Sequence, residues 1–325
     1  MSGAQRLFPF LLFLLLVANT ACSKDDDLLS SSDSIAWNAA TSEEHRDGKD
    51  SISFEFTGAE KFLDLSNAIS GVQGSACYGD YFFQGYNTNS RMDVYNIKTG
   101  KFICRIQVPA PPKSTRYHAN TVNFGNQFVD ENDMFPVLYV CSGYTKDTSS
   151  SESYVFVYRI LETETHTFQL ELIQTITLLD FGVNLWTEAV MDNEHDAIWI
   201  KSNTCIYRKF QVPLISEGDC IISPHSGVVQ EVNVGTQPFA SHNQGHLFYK
   251  GRILLATGVP AWNEKIALVV INPLTNEREV IVDLFDLGLV DSSNPLSNRF
   301  EPEGVIVVDG QIMICYPKAI YKLIR

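Results

Sequence analysis

Glu301-Pro302-Glu303-Gly304-Val305-Ile306-Val307-Val308-Asp309-Gly310-Gln311-Ile312-Met313-Ile314-Cys315 is the stretch that decides the fold. A polar residue stands before a glycine, an apolar run follows, and Asp309-Gly310 supplies the pair that tight hairpin turns favour because such residues tolerate positive φ. A second apolar run then returns. The same start recurs upstream at Val72-Gln73-Gly74-Ser75, Ala119-Asn120-Thr121-Val122, Thr187-Glu188-Ala189-Val190 and Asn243-Gln244-Gly245-His246. Turn signals follow each, at Gly79-Asp80, Gly125-Asn126, Asp192-Asn193 and Lys250-Gly251. The polar members Gln73, Asn120, Glu188, Gln244 and Glu303 stand between about 47 and 68 residues apart, a spacing that suits one four-stranded blade with variable loops. Five starts predict five blades.

Asn96-Ile97-Lys98-Thr99-Gly100-Lys101 and Asn272-Pro273-Leu274-Thr275-Asn276-Glu277 read as later hairpins, between the third and fourth strands of their units. The last unit has runs for only three strands before Arg325. Ser51-Ile52-Ser53-Phe54-Glu55-Phe56-Thr57 alternates as a strand should and precedes the first unit, so it is expected to join the last blade and close the ring. No segment carries a sustained helical period, so the fold expected for residues 51–325 is an all-β, five-bladed β-propeller closed by an N-terminal strand. The alternative is a β-sandwich.

Among the 325 residues, 24 Lys and Arg face 38 Asp and Glu, for a net charge of −14. That balance offers no general basic surface to neutralise phosphates, so nucleic acid is not expected as a partner. Arg6, the apolar stretch from Leu7 to Ala18 and the small residues before Cys22 read as a signal peptide over residues 1–21, with an h-region too short to span a bilayer. Residues 22–50, rich in Ser, Asp, Glu and Lys, read as a flexible acidic tether. None of the remaining cysteines forms a CxxC pair; most lie in or beside apolar runs, and a Cys205–Cys220 bridge is one open pairing. There is no GxGxxG, no GxxxxGK[ST] and no GxSxG.

Thr20-Ala21-Cys22 resembles a bacterial lipobox, with Asn19 where that pattern prefers Leu, and Ser23-Lys24-Asp25-Asp26-Asp27 resembles the acidic export signal of Bacteroidetes surface lipoproteins. With the Gln-Gly and Glu-Pro-Glu-Gly strand starts, the chain is similar to surface lipoproteins of the five-bladed propeller type from gut Bacteroidetes. The resemblance implies lipidation at Cys22, a cell-surface location on the outer membrane, membrane contact only through the lipid anchor, and company with glycan-uptake systems. The other reading of the N-terminus is an ordinary secretory signal with an incidental Cys22.

The first strand of each propeller blade lines the central channel, so the five polar residues are expected to ring one mouth of it. They either hold a ligand or satisfy backbone groups left open where strands begin. Two positions earlier stand Gly71, His118, Trp186, His242 and Glu301, with Arg116, Tyr117, Arg299 and Phe300 alongside. Aromatic faces among hydrogen-bonding groups suit a sugar ring, so a carbohydrate is the expected ligand, bound by Gln73, His118, Asn120, Trp186, Glu188, His242, Gln244, Glu301 and Glu303. Trp262, in a loop, is a further candidate platform, whereas Trp199 reads as core. The runner-up is a glycan-cleaving enzyme, a hydrolase or lyase using Glu188, Glu301 or Glu303 as paired carboxyls. A third reading is a scaffold for another envelope protein. No cofactor and no specific metal motif is legible, although the Asn, Gln and Glu oxygens would suit calcium.

Overall fold

A computed structural model describes residues 53–65, 71–87, 90–109, 115–145, 152–181, 187–201, 206–235, 242–289 and 301–325. The signal peptide, Cys22, the tether, Trp186, Cys205, Arg299 and Phe300 lie outside them. The described chain forms five small sheets. Blade 1 holds β2 (Val72–Tyr78), β3 (Tyr81–Tyr86), β4 (Arg91–Asn96) and β5 (Phe102–Gln107) in order from the axis outward. Blade 2 holds β6 (Thr115–Phe124), β7 (Leu138–Thr145), β8 (Glu152–Glu162) and β9 (Phe168–Leu179); blade 3 holds β10 (Glu188–Asp192), β11 (Ala197–Lys201), β12 (Ile206–Gln211) and β14 (Gln230–Asn233). Between the last two, β13 (Cys220–Ile222) crosses back to pair parallel with β9, lashing blade 3 to blade 2. Blade 4 holds β15 (Asn243–Tyr249), β16 (Arg252–Thr257), β17 (Ala267–Asn272) and β18 (Glu277–Asp283).

Blade 5 holds β19 (Gly304–Val308), β20 (Gln311–Tyr316) and β21 (Ala319–Ile324), and its outermost strand is β1 (Gly58–Asp64), which pairs antiparallel with β21 from Gly58↔Ile324 to Asp64↔Ala319. The protein is thus a five-bladed β-propeller whose N-terminal strand closes the ring. The closing strand is not the expected Ser51–Thr57. Residues 53–57 carry no strand, although Phe54 is buried and the Thr57 N–H donates to the Ile324 carbonyl. An outer strand is largely exposed and so needs no alternation, and Gly58-Ala59-Glu60-Lys61-Phe62-Leu63-Asp64 shows none.

The inner and outer hairpins fall where the turn residues put them, with one exception. Asn96 accepts from the N–H groups of Lys98 and Thr99, and Asn272 from that of Leu274, each Asn side chain replacing a backbone acceptor in its turn. Gly125-Asn126, by contrast, opens a long loop over residues 125–137, because Phe135 folds back into the core instead of passing directly to β7.

Blades pack face to face. Blades 1 and 2 meet through an aromatic cluster in which Phe83 lies 5.3 Å from Phe124 and 5.5 Å from Phe135, centroid to centroid. Blade 2 meets blade 3 through Val155, Ile176, Ile198 and Phe210, and blade 3 meets blade 4 through Trp199, Tyr207, Leu255 and Val269. Blade 5 returns to blade 1 through Ile306, Met313, Phe82 and Tyr95. Trp199 is core, as expected.

Candidate functional site

The recurring small residue after each polar position lets the inner strands approach. A Cβ on Gly245 would stand 2.2 Å from Gly304 Cα, one on Gly74 would stand 2.8 Å from the Ala119 carbonyl oxygen, and one on Gly304 would stand 3.0 Å from Ser75 Cβ. The pairing register also slips at these places, between Val72 and Ser75, Ala119 and Thr121, and Asn243 and His246. Such irregularities bend a strand and re-aim its side chains. The inner strands all run the same way, so their starting ends share one mouth.

The five column residues do not share one environment. Gln73 is buried near the start of β2 and Asn120 in the middle of β6, which begins earlier than expected, at Thr115; His118 is half-buried. Glu188, expected as a ligand or catalytic group, is buried against Lys201, whose Nζ donates to its Oε2 at 3.0 Å; His246 Nε2 lies 3.5 Å from the same oxygen and 3.1 Å from the Tyr207 hydroxyl. Burial raises the Glu188 carboxyl and Lys201 opposes that shift, while burial and Lys201 hold the His246 imidazole well below its ordinary value, so it stays neutral. This group ties blade 3 to blade 4 and gives Glu188 a structural partner.

Gln244, Glu301, Glu303 and His242 converge where blades 4 and 5 meet. Gln244 Nε2 donates to Glu301 Oε1 at 2.6 Å. His242 Nδ1 lies 2.8 Å from Glu264 Oε1, and the Val259 N–H donates to the other oxygen of Glu264 at 3.0 Å. The His242 ring stands 4.2 Å from that of Trp262, centroid to centroid, at 65°. Trp262 ends a short 3-10 turn (Pro260–Trp262) and is 62% exposed, as its loop position suggested.

Glu303 is only 4% exposed, and its Oε2 has no hydrogen-bond partner. The other fully buried carboxylates among the described residues are all paired: Asp93 with Arg105, Asp192 with Lys209 and Glu188 with Lys201. Burial, and then the neighbouring Glu301, hold the Glu303 carboxyl well above the ordinary carboxylate range. Burial pushes Glu301 up to about 7, against the lowering effect of His242 and the Gln244 amide, with Glu264 adding to the rise. Near neutral pH the pair therefore holds protons that ordinary glutamates would have lost.

No protein-family model and no curated protein matches the chain. Among solved structures it is similar to the glutaminyl cyclase of Myxococcus xanthus, with a TM-score of 0.47 and 13% identity over 83% of this chain and 97% of that one. It is also similar to the PQQ-bound aldose sugar dehydrogenase of Streptomyces coelicolor, with a TM-score of 0.46 and 10% identity over 83% of this chain and 98% of that one. The likeness is one of fold.

Among the described residues, no set of three or more His, Cys, Asp or Glu side chains is arranged to hold a metal ion. Cys220 is a free thiol. Glu264, Lys201 and His246 escaped the sequence reading. Lys201 had a signal, since a lysine that ends the apolar run Ala197-Ile198-Trp199-Ile200 needs a buried counter-charge. Glu264 had none beyond its nearness to Trp262.

Proposed function

We propose that this propeller binds an extracellular carbohydrate at the mouth framed by blades 4 and 5, while held at the outer-membrane surface by a lipid on Cys22. The observation that carries the binding reading is the exposed Trp262 ring against His242, on the same blade as Gln244 and its hydrogen-bonded partner Glu301. An indole stacks on the C–H face of a sugar, and an amide with a carboxyl serves its hydroxyls as donor and acceptor. A glycan-array screen of the secreted chain tests this. Trp262→Ala is expected to weaken any hit about tenfold, in line with the loss of an aromatic contact, at an unchanged melting temperature. An array without hits, or a hit indifferent to Trp262→Ala, overturns it.

One observation favours a second reading. Glu301 and Glu303 keep their protons close to neutral pH, the state a general acid needs to protonate a glycosidic oxygen. Product analysis on each bound glycan separates the two: turnover that collapses in Glu303→Gln while binding persists identifies an enzyme, and binding without turnover in either form identifies a binding protein. The anchor has its own test. Cys22→Ser is expected to move the protein from the membrane fraction to the soluble one, and unchanged fractionation and mass would exclude the lipid.

A further inference from the structure

Three carboxyls, Glu264, Glu301 and Glu303, gather at this mouth, and among the described residues the charged groups that bear on Glu301 and Glu303 are His242, Glu264 and each other. The His242 imidazole is engaged by Glu264. Glu303 meanwhile keeps one oxygen buried and unpartnered, whereas buried polar groups are normally satisfied. Among the described residues, a ligand bearing carboxylate, sulfate or phosphate would meet three carboxyls here, and the nearest imidazole, His242, is turned to one of them. A compact cationic donor would meet two carboxyls and, at the rim, an exposed indole that attracts cations through its face.

Resting on the carbohydrate reading above, we infer that the ligand is an amino sugar with a free, protonated amine, its ammonium group seated between Glu301 and Glu303 and its ring against Trp262. The ammonium supplies three N–H donors to Glu303 Oε2, which has no donor, and to Glu301, which accepts from Gln244. Burial, and then the closeness of the carboxyls to one another, raises their affinity for protons, and a seated ammonium group would displace those protons.

The test compares chitosan oligosaccharides, whose amines are free, with chitin oligosaccharides of equal length, whose amines are acetylated, by calorimetry on the full secreted chain. The free-amine series is expected to bind at least tenfold more tightly, the scale of a charge-assisted hydrogen bond. Glu301→Gln and Glu303→Gln, both of which preserve shape, are expected to erase that preference, while Trp262→Ala weakens both series. Equal or tighter binding of the acetylated series overturns the inference and leaves carbohydrate binding standing. Loss of every glycan ligand, acetylated or not, overturns both. Saturation by calcium alone, lost in Glu303→Gln, would assign the carboxyls to a metal and overturn the amine assignment.

Discussion

Glu303 couples stability to pH in a direction opposite to most acidic residues. Its carboxyl, like that of Glu301, binds a proton more tightly in the folded chain than in the unfolded one. The stabilising contribution is therefore complete below the ordinary glutamate range and is lost as the pH rises, for Glu301 between the unfolded value and about 7. Glu303→Gln keeps the shape and removes the titration. It is expected to raise the melting temperature at pH 8 and to leave it nearly unchanged at pH 4, as read by a calorimetric pH series. An equal shift at both pH values would mean that Glu303 binds its proton no more tightly in the folded chain than in the unfolded one. The sequence singled out this residue because it repeats a position; it could not show that the residue is buried without a partner. Glu264 illustrates the opposite limit, since only the fold brings it to His242.

At the level of the strand, the small residue after each polar position is what allows five inner strands to crowd around an axis. Gly245→Ala is expected to destabilise by about 2 kcal/mol or more, because its methyl group would collide with the backbone of Gly304 and neither strand can retreat from a packed interior. Gly58→Ala, in the outer β1 with nothing within 4 Å of the added atom, is expected to change stability by less than about 0.5 kcal/mol. Denaturant titration of the two variants side by side checks the contrast. This same steric demand made the blades legible: crowding favours a small residue at each inner start, which leaves a mark in sequence, while the slipped register found at three of the five starts does not. Outer strands carry no such demand, which is why the pattern of Ser51–Thr57 reads as a strand and that of Gly58–Asp64 does not.

Across the whole molecule the ring is held shut by one seam, the six residue pairs between β1 and β21. A chain beginning at Ser53 is expected to melt as the full-length protein does, and one beginning at Leu65 to melt well below it and to aggregate, because β21 would then present an unpaired edge. Differential scanning calorimetry with light scattering on both truncations reads the outcome, and equal melting would show that the seam contributes little.

The seam also sets an order of events in time. Gly58 is made long before its partner Ile324, so β1 must wait through the synthesis of the four other blades before it has anything to pair with. A product that stops before Ala319 leaves that first strand permanently without a mate. The ring can therefore close only after β21 has been made, and a copy that stops short of it keeps an unpaired strand edge.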